Sequence, residues 1–347
     1  MSDNVKKLLQ IVVGLIFLIT ASYFTLQGID FVALKQAMLN ADYTYIFLPI
    51  PIILLSHYMR AFRWNTMLKP IVKDAKVWDL FSSVMIGYAA NNIITRSGEF
   101  LRPYIISKKE NISYSSTLAT ILLERVIDVI TLVLLFGLTF VLLGDQILNI
   151  LPKNDAGESY LDPNSLLTII GLLVVIALLN LYPPFINWIL KITVKPLSIK
   201  LYEKLLGIVD RFKKGFAIVK EPKMYIKLSI ESAIIWFLYA LPMFIMFYAF
   251  DFQAEFNLGM KDAMMIVIVA GIAVTIAPVP GAVGVYHLAV SIAMVNLYEG
   301  LNREEALAYA TVVHALNYIL QLIVGGLFFF KENIKSIKPK QELETTP

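Results

Sequence analysis

Runs of about 18 or more mostly apolar residues recur along this chain, and each is long enough as a helix to cross ~30 Å of hydrocarbon. No other feature limits the fold so strongly. In hydrocarbon the backbone must satisfy its own N–H and C=O groups, which leaves helices or closed barrels. Barrel strands would read as ~10-residue alternating segments, and none is seen in the 347 residues. The expected fold is all-α: a polytopic membrane helical bundle. Composition agrees, with 58% hydrophobic residues and a mean hydropathy of +0.70, where soluble domains sit near about 45–50% apolar.

Full spans are expected at 8–26, 43–64, 115–143, 165–190, 228–250 and 306–330. The first run follows Lys6 and Lys7 as a signal peptide would, but it is long and lacks a small-residue cleavage site, so it reads as an uncleaved span. The chain has no cysteine, which excludes disulfides and thiolate chemistry. Its net charge of +4 reflects lysines and arginines flanking spans, not nucleic-acid binding. Basic residues crowd 66–77 and 191–227, whereas 144–164 is acidic. The positive-inside rule places the N-terminus, both basic stretches and the tail at 331–347 in the cytoplasm, and the acidic loop outside. A single transmembrane domain covers 1–330, with 191–227 as a cytoplasmic amphipathic linker. Such a helix suits anionic inner-leaflet lipids; a plain linker helix is the alternative.

Parity then constrains two interrupted stretches. If 78–95 crossed fully, Lys108 and Lys109 would lie outside and the acidic loop inside, inverting the rule. The chain from 78 to 107 must therefore return to the cytoplasmic side, as a re-entrant hairpin or a pair of short spans. By the same count, 263–298 enters and leaves on the outer side. The bundle thus has about six full spans plus two broken helix pairs entering from opposite faces, as in transporters whose discontinuous helices meet near the midplane.

The first break reads "NNIITRSGEFLRPY". Gly98 permits a turn, Pro103 suits the first turn of a short helix, and Glu99 and Arg102 can share a helical face. Solvated charges on a short cytoplasmic loop are the plainer alternative. Against it stands "ERVID", which puts Glu124, Arg125 and Asp128 roughly 15 Å inside an apolar helix. Each unpaired charge there costs ~2.5–3.5 kcal/mol. Arg96, Glu99 and Arg102 supply partners, so that three positive charges meet three negative ones. A buried charge network is expected, serving either to hold the broken helix in place or to grip an anionic headgroup through arginine forks.

The second break is "TIAPVPGAVGVYH". Pro278 and Pro280 stop a helix, Gly281 and Gly284 allow close backbone approach, and His287 lies near the start of the next half-helix. That helix start could meet phosphate oxygens; a packing kink with a buried histidine is the alternative. His314, Asn317, Tyr318 and Gln321 fall on one helical face, as a substrate path or as interhelical hydrogen bonding requires. Asn92 joins them as a further candidate. Arg60 and Arg63 are read as snorkelling toward inner headgroups, with Arg60 a candidate for the cavity. The three histidines lie far apart in sequence, so no metal site is expected.

Three motifs together resemble the transmembrane, flippase-like domain of the lysylphosphatidylglycerol synthases. They are "RSGEFLR" (96–102), like R-x-G-E-x-x-R; "ERVID" (124–128), like E-R-x-x-D; and "PVPGAVGVYH" (278–287), like P-x-P-G-G-x-G followed by a polar residue. The chain departs from that pattern at Thr95, where proline is frequent, at Ala282 in place of the second glycine, and at His287, where an acid is common. The resemblance implies the lipid-translocating half without the aminoacyl-transferase domain. On this reading the chain is a non-enzymatic lipid flippase or transporter of a bacterial inner membrane. It would bind a phospholipid or polyprenyl-phosphate headgroup without a cofactor, and a homo-oligomer is compatible with it. A membrane-embedded transferase acting on a lipid-linked substrate is the rival, and a non-transporting accessory protein the third reading.

Overall fold

The computed structural model describes residues 19–20, 22–73, 75–150, 222–277 and 279–332, with scattered single positions between 168 and 206. The spans expected at 8–26 and 165–190, Pro278, nearly all of the 191–227 linker and nearly all of the tail lie outside the described residues. Every described element is helical. They are α1 (Phe31–Asn40), α2 (Tyr43–Phe47), α3 (Ile50–Leu68), α4 (Val77–Ile93), α5 (Ser97–Lys109), α6 (Tyr114–Ile150), α7 (Pro222–Ala249), α8 (Phe252–Phe256), α9 (Met260–Ile276), α10 (Val285–Leu297) and α11 (Arg303–Glu332). A 3-10 turn, Pro280–Ala282, joins α9 to α10.

Local chemistry sets these boundaries. Asp30 caps α1 by accepting from the Val32 and Ala33 amides at 2.8 and 3.2 Å, and Asp42 caps α2 through the Thr44 amide at 2.8 Å. Four described stretches are long and apolar enough to cross a bilayer: Tyr43–Leu68, Lys223–Ala249, Pro280–Leu297 and Arg303–Glu332. Their outward faces remain oily. Ile226, Ile230, Ile234 and Phe237 form an exposed stripe on α7, and Ile319, Ile323, Leu327 and Phe330 form one on α11. Greasy stripes of this kind fit lipid as the surrounding solvent. The fold is an all-α membrane bundle.

Two boundaries differ from the sequence reading. α6 runs on to Ile150, into the stretch taken as the acidic loop, because a single glycine, Gly144, is tolerated inside a helix and the first proline comes only at 152. α7 begins at Pro222, inside the stretch taken as the linker, where proline fits the first helical position.

Each interrupted stretch is an antiparallel helical hairpin. In α4–α5, Lys109 Nζ meets Asp79 Oδ1 at 2.8 Å near the base, while Gly87 and Gly98 touch backbone to backbone near the tip. In α9–α10, the Tyr298 hydroxyl donates to Asp262 at 2.9 Å at the base, and the 3-10 turn forms the tip. Helix α11 organises both. Near its end, Glu332 takes Lys109 at 2.5 Å and the Ser82 hydroxyl at 2.7 Å. At its start, Arg303 donates to the carbonyls of Phe24 and Gln27 at 2.6 and 2.8 Å, close to the α9–α10 base. The hairpins therefore enter from opposite ends of this ~45 Å helix, and their tips meet beside its middle.

The packing core divides in the same way. Trp64, Leu80, Met85, Ile105 and Phe328 join α3, α4, α5 and the end of α11. Trp236, Phe247, Ile266, Met294 and Tyr309 join α7, α9, α10 and its first half.

Candidate functional site

The first break opens where α4 stops at Ile93. Arg96 turns the corner in the left-handed region, with φ of 60°, and α5 restarts at Ser97. Asn91 Oδ1 accepts from the Gly98 amide at 2.7 Å and so satisfies one free N–H of the new helix. Glycine is required at 98, because a Cβ there would lie 2.0 Å from the Gly87 carbonyl oxygen. Pro103 sits inside α5 and does not open it. Starting the helix at Ser97 is what places Gly98 against Gly87 and Arg102 one turn further in.

The second break meets the first. Tyr318 on α11 donates its hydroxyl to the Asn92 carbonyl at 3.2 Å, and Asn92 Nδ2 donates to Gln321 at 3.1 Å. His314 Nε2 lies 2.7 Å from the Gly281 carbonyl. Gly281 has φ of 57°, and a Cβ on it would sit 2.4 Å from the Tyr318 ring. Thus His314, Tyr318 and Gln321 tie both tips to one face of α11.

Beside these tips lies a network of buried charge. Glu124 on α6 is fully buried. It accepts from Arg102 at 2.8 Å and from Arg60 on α3. Asp128, one turn on, accepts from Arg60 at 2.9 Å and from Arg63. Arg63 also donates to Ser232 on α7 at 2.8 Å, and Arg60 to the Tyr239 hydroxyl at 2.9 Å. Arg102 lies 4.8 Å over the Trp64 ring, whose indole N–H donates to Thr120 at 2.8 Å. Arg125 stays 36% exposed and touches Glu124, Asp128 and Glu99 only at 3.4, 3.7 and 3.8 Å.

This arrangement corrects the sequence reading of Arg63, and for Arg60 it bears out the cavity-facing alternative over the snorkelling one. Neither snorkels; they are 6% and 0% exposed and are principal partners of the α6 acids. Leaving two carboxylates unpaired in oil costs more than drawing two guanidiniums in from the headgroup layer. Arg96, by contrast, is not in the network. It is exposed at the corner and pairs with no acid among the described residues.

The network forms one wall of a cavity of about 490 Å³. Arg60, Asn91, Asn92, Arg96, Glu99, Arg125 and Asp128 face it, as do His314, Asn317, Tyr318 and Gln321 of α11. Leu132, Trp236, Val267 and Val274 give it an apolar side. Glu124 and Arg102 lie behind the charged wall. From the second break, among the described residues, Thr275, Val279, Gly281 and Ala282 reach the cavity, followed by Tyr286 on α10; Pro280, Gly284 and His287 do not. His287 instead accepts from the Gly284 amide at 3.2 Å, so that N–H is not open to an anion. The sequence reading overlooked His57. It lines the cavity, lies tilted against Tyr88 with ring centroids 4.7 Å apart, is 4% exposed, and makes no hydrogen bond at either ring nitrogen. Its place three residues before Arg60 on α3 was the available signal.

Residues 8–325, which contain both breaks and the whole network, match the family described as the lysylphosphatidylglycerol synthase TM region. The chain belongs to that family. Among its relatives is a UPF0104 membrane protein of Pyrococcus horikoshii, 26% identical over 94% of this chain and 97% of that protein. The glycosyltransferase AglD of Haloferax volcanii is 23% identical over 93% of this chain but only 54% of AglD. A UPF0104 membrane protein of Methanocaldococcus jannaschii is 29% identical over 37% of the chain and 39% of that protein. No solved structure matches.

Proposed function

We propose that this chain is a lipid flippase or lipid transporter that binds a phosphate-bearing headgroup in the charged cavity while the tails stay in the bilayer. One observation carries the reading. Where the two breaks meet, Arg96 and Arg125 present guanidiniums whose positive charge is not fully met by protein carboxylates. Planar guanidinium forks bind phosphate oxygens two at a time. The apolar side of the cavity accommodates the first carbons of a tail. Two hairpins entering from opposite ends provide the means of alternating access, since either tip could part from α11 while the other stays closed.

On this reading both hairpins are re-entrant, and the base of α4–α5, with Lys73, Lys76, Lys108 and Lys109 nearby, faces the cytoplasm. The test is reconstitution of the full chain into liposomes carrying a headgroup-labelled anionic phospholipid, with quenching of the outer leaflet. Wild type is expected to expose inner-leaflet label, and Arg125→Gln to abolish that exposure while melting within a few degrees of wild type. Unchanged transport in Arg125→Gln and Arg96→Gln would overturn the proposal.

The name of the Haloferax relative supports a second reading, in which the chain takes part in glycosyl transfer to or from a lipid carrier. Product formed from a labelled sugar donor by the full chain, and lost in Arg125→Gln, would favour it.

A further inference from the structure

The charged groups around the cavity do not cancel. Five arginines, Arg60, Arg63, Arg96, Arg102 and Arg125, stand against three carboxylates, Glu99, Glu124 and Asp128. The nearby acids are engaged elsewhere: Asp79 and Glu332 hold Lys109, and Glu231 takes Thr66 and Lys227. Among the described residues two positive charges are left over. Arg60, Arg63 and Arg102 stand against Glu124 and Asp128, which leaves one charge over in the buried network, and Arg96 and Arg125 stand against Glu99, which leaves one on the open wall.

Uncompensated charge in a low-dielectric site is costly unless an anion of matching charge meets it. A phosphate diester offers one negative charge. A monoester carries about −1.5 to −2 near neutral pH and presents three terminal oxygens. We infer that the lipid this site takes is a phosphate monoester, with the phosphate ending the headgroup. The inference rests on the lipid-binding reading above and narrows it to one substrate class. The terminal phosphate would lie between Arg96 and Arg125, and the first carbons of the chain along Leu132 and Val274.

The test is calorimetric binding to the full chain in detergent at pH 8, where a phosphate monoester is close to fully ionised. Farnesyl phosphate, its methyl diester and inorganic phosphate are the probes. The monoester is expected to bind at least about tenfold more tightly than the diester, or ~1.4 kcal/mol. Inorganic phosphate is expected to bind more weakly than either lipid. Arg96→Gln, at an exposed corner, should erase most of the monoester preference and spare diester binding. Equal affinity for monoester and diester would overturn the inference and leave the lipid-headgroup reading standing. Inorganic phosphate binding as tightly as farnesyl phosphate would overturn the lipid as its source. Failure of both lipids to bind, or binding indifferent to Arg96→Gln and Arg125→Gln, would overturn inference and reading together.

Discussion

Gly325 and Gly326 are neighbours in the interior of α11, and alanine should have opposite effects at the two. A Cβ on Gly325 would lie 2.4 Å from the Met85 carbonyl oxygen and 2.6 Å from the Ala89 Cβ, about 1 Å inside the 3.4 Å at which ordinary contact begins. A Cβ on Gly326 would meet nothing within 4 Å. Both substitutions gain the same helix propensity, ~0.8–1.0 kcal/mol, so their difference isolates the clash. Met85 presents backbone, which cannot swing aside, so α4 and α11 must separate. Overpacking of this kind costs ~1–3 kcal/mol. The separation also strains the Asn92–Gln321 hydrogen bond one turn away, for a further ~0.5–1.5 kcal/mol. Gly326→Ala is expected to melt at or above wild type, and Gly325→Ala to be about 1.5–4.5 kcal/mol less stable than Gly326→Ala. At ~2–4 °C per kcal/mol, the gap is at least ~3 °C in thermal unfolding of the purified chain in one detergent. Equal melting temperatures for the two variants would refute the close approach of α4 and α11.

Three further outcomes follow from the same geometry. Arg60→Ala removes the guanidinium shared by Glu124 and Asp128 and should destabilise by ~3–5 kcal/mol. Adding Asp128→Asn should recover part of that loss in the same melting assay. Gly281→Ala should lower stability through its clash with Tyr318, and Tyr318→Ala should relieve it, leaving ~1–2 kcal/mol from the left-handed backbone; a double-mutant cycle measures the coupling. Lys109→Met leaves Asp79 and Glu332 facing each other without their cation, at ~1–3 kcal/mol, and should speed hydrogen exchange in α5 before α7 responds.

Much of the bundle was legible because apolar length and helix breakers are local properties. The runs at 43–64, 228–250 and 306–330 reappear as helices ending within a few residues of those limits, and both interrupted stretches are hairpins. The depth of Glu124 and Asp128 also showed that buried cations were needed. Which cations was not legible. Arg60 and Arg63 sit near the end of an apolar run, where one-dimensional position cannot distinguish an arginine reaching for headgroups from one turned inward. Their three-residue spacing, one helical face, was the cue. Arg96 escaped for a different reason: left-handed corners are signalled by glycine or asparagine, and an arginine there gives no warning. His287 suggested a ligand because it follows a glycine-rich turn, but the same position lets it cap its own helix.

The dependence of both tips on α11 bears on how the protein is made. His314, Tyr318 and Gln321 come from the last helix described, yet the tips they fasten are made earlier, the second 33 residues before His314 and the first 226 residues before Tyr318. During synthesis the two hairpins must wait, propped only by their own cores, until that helix arrives between them. Insertion machinery that released the chain early would leave the arginine-rich corner open to lipid on one side, so assembly of the cavity is coupled to completion of the polypeptide.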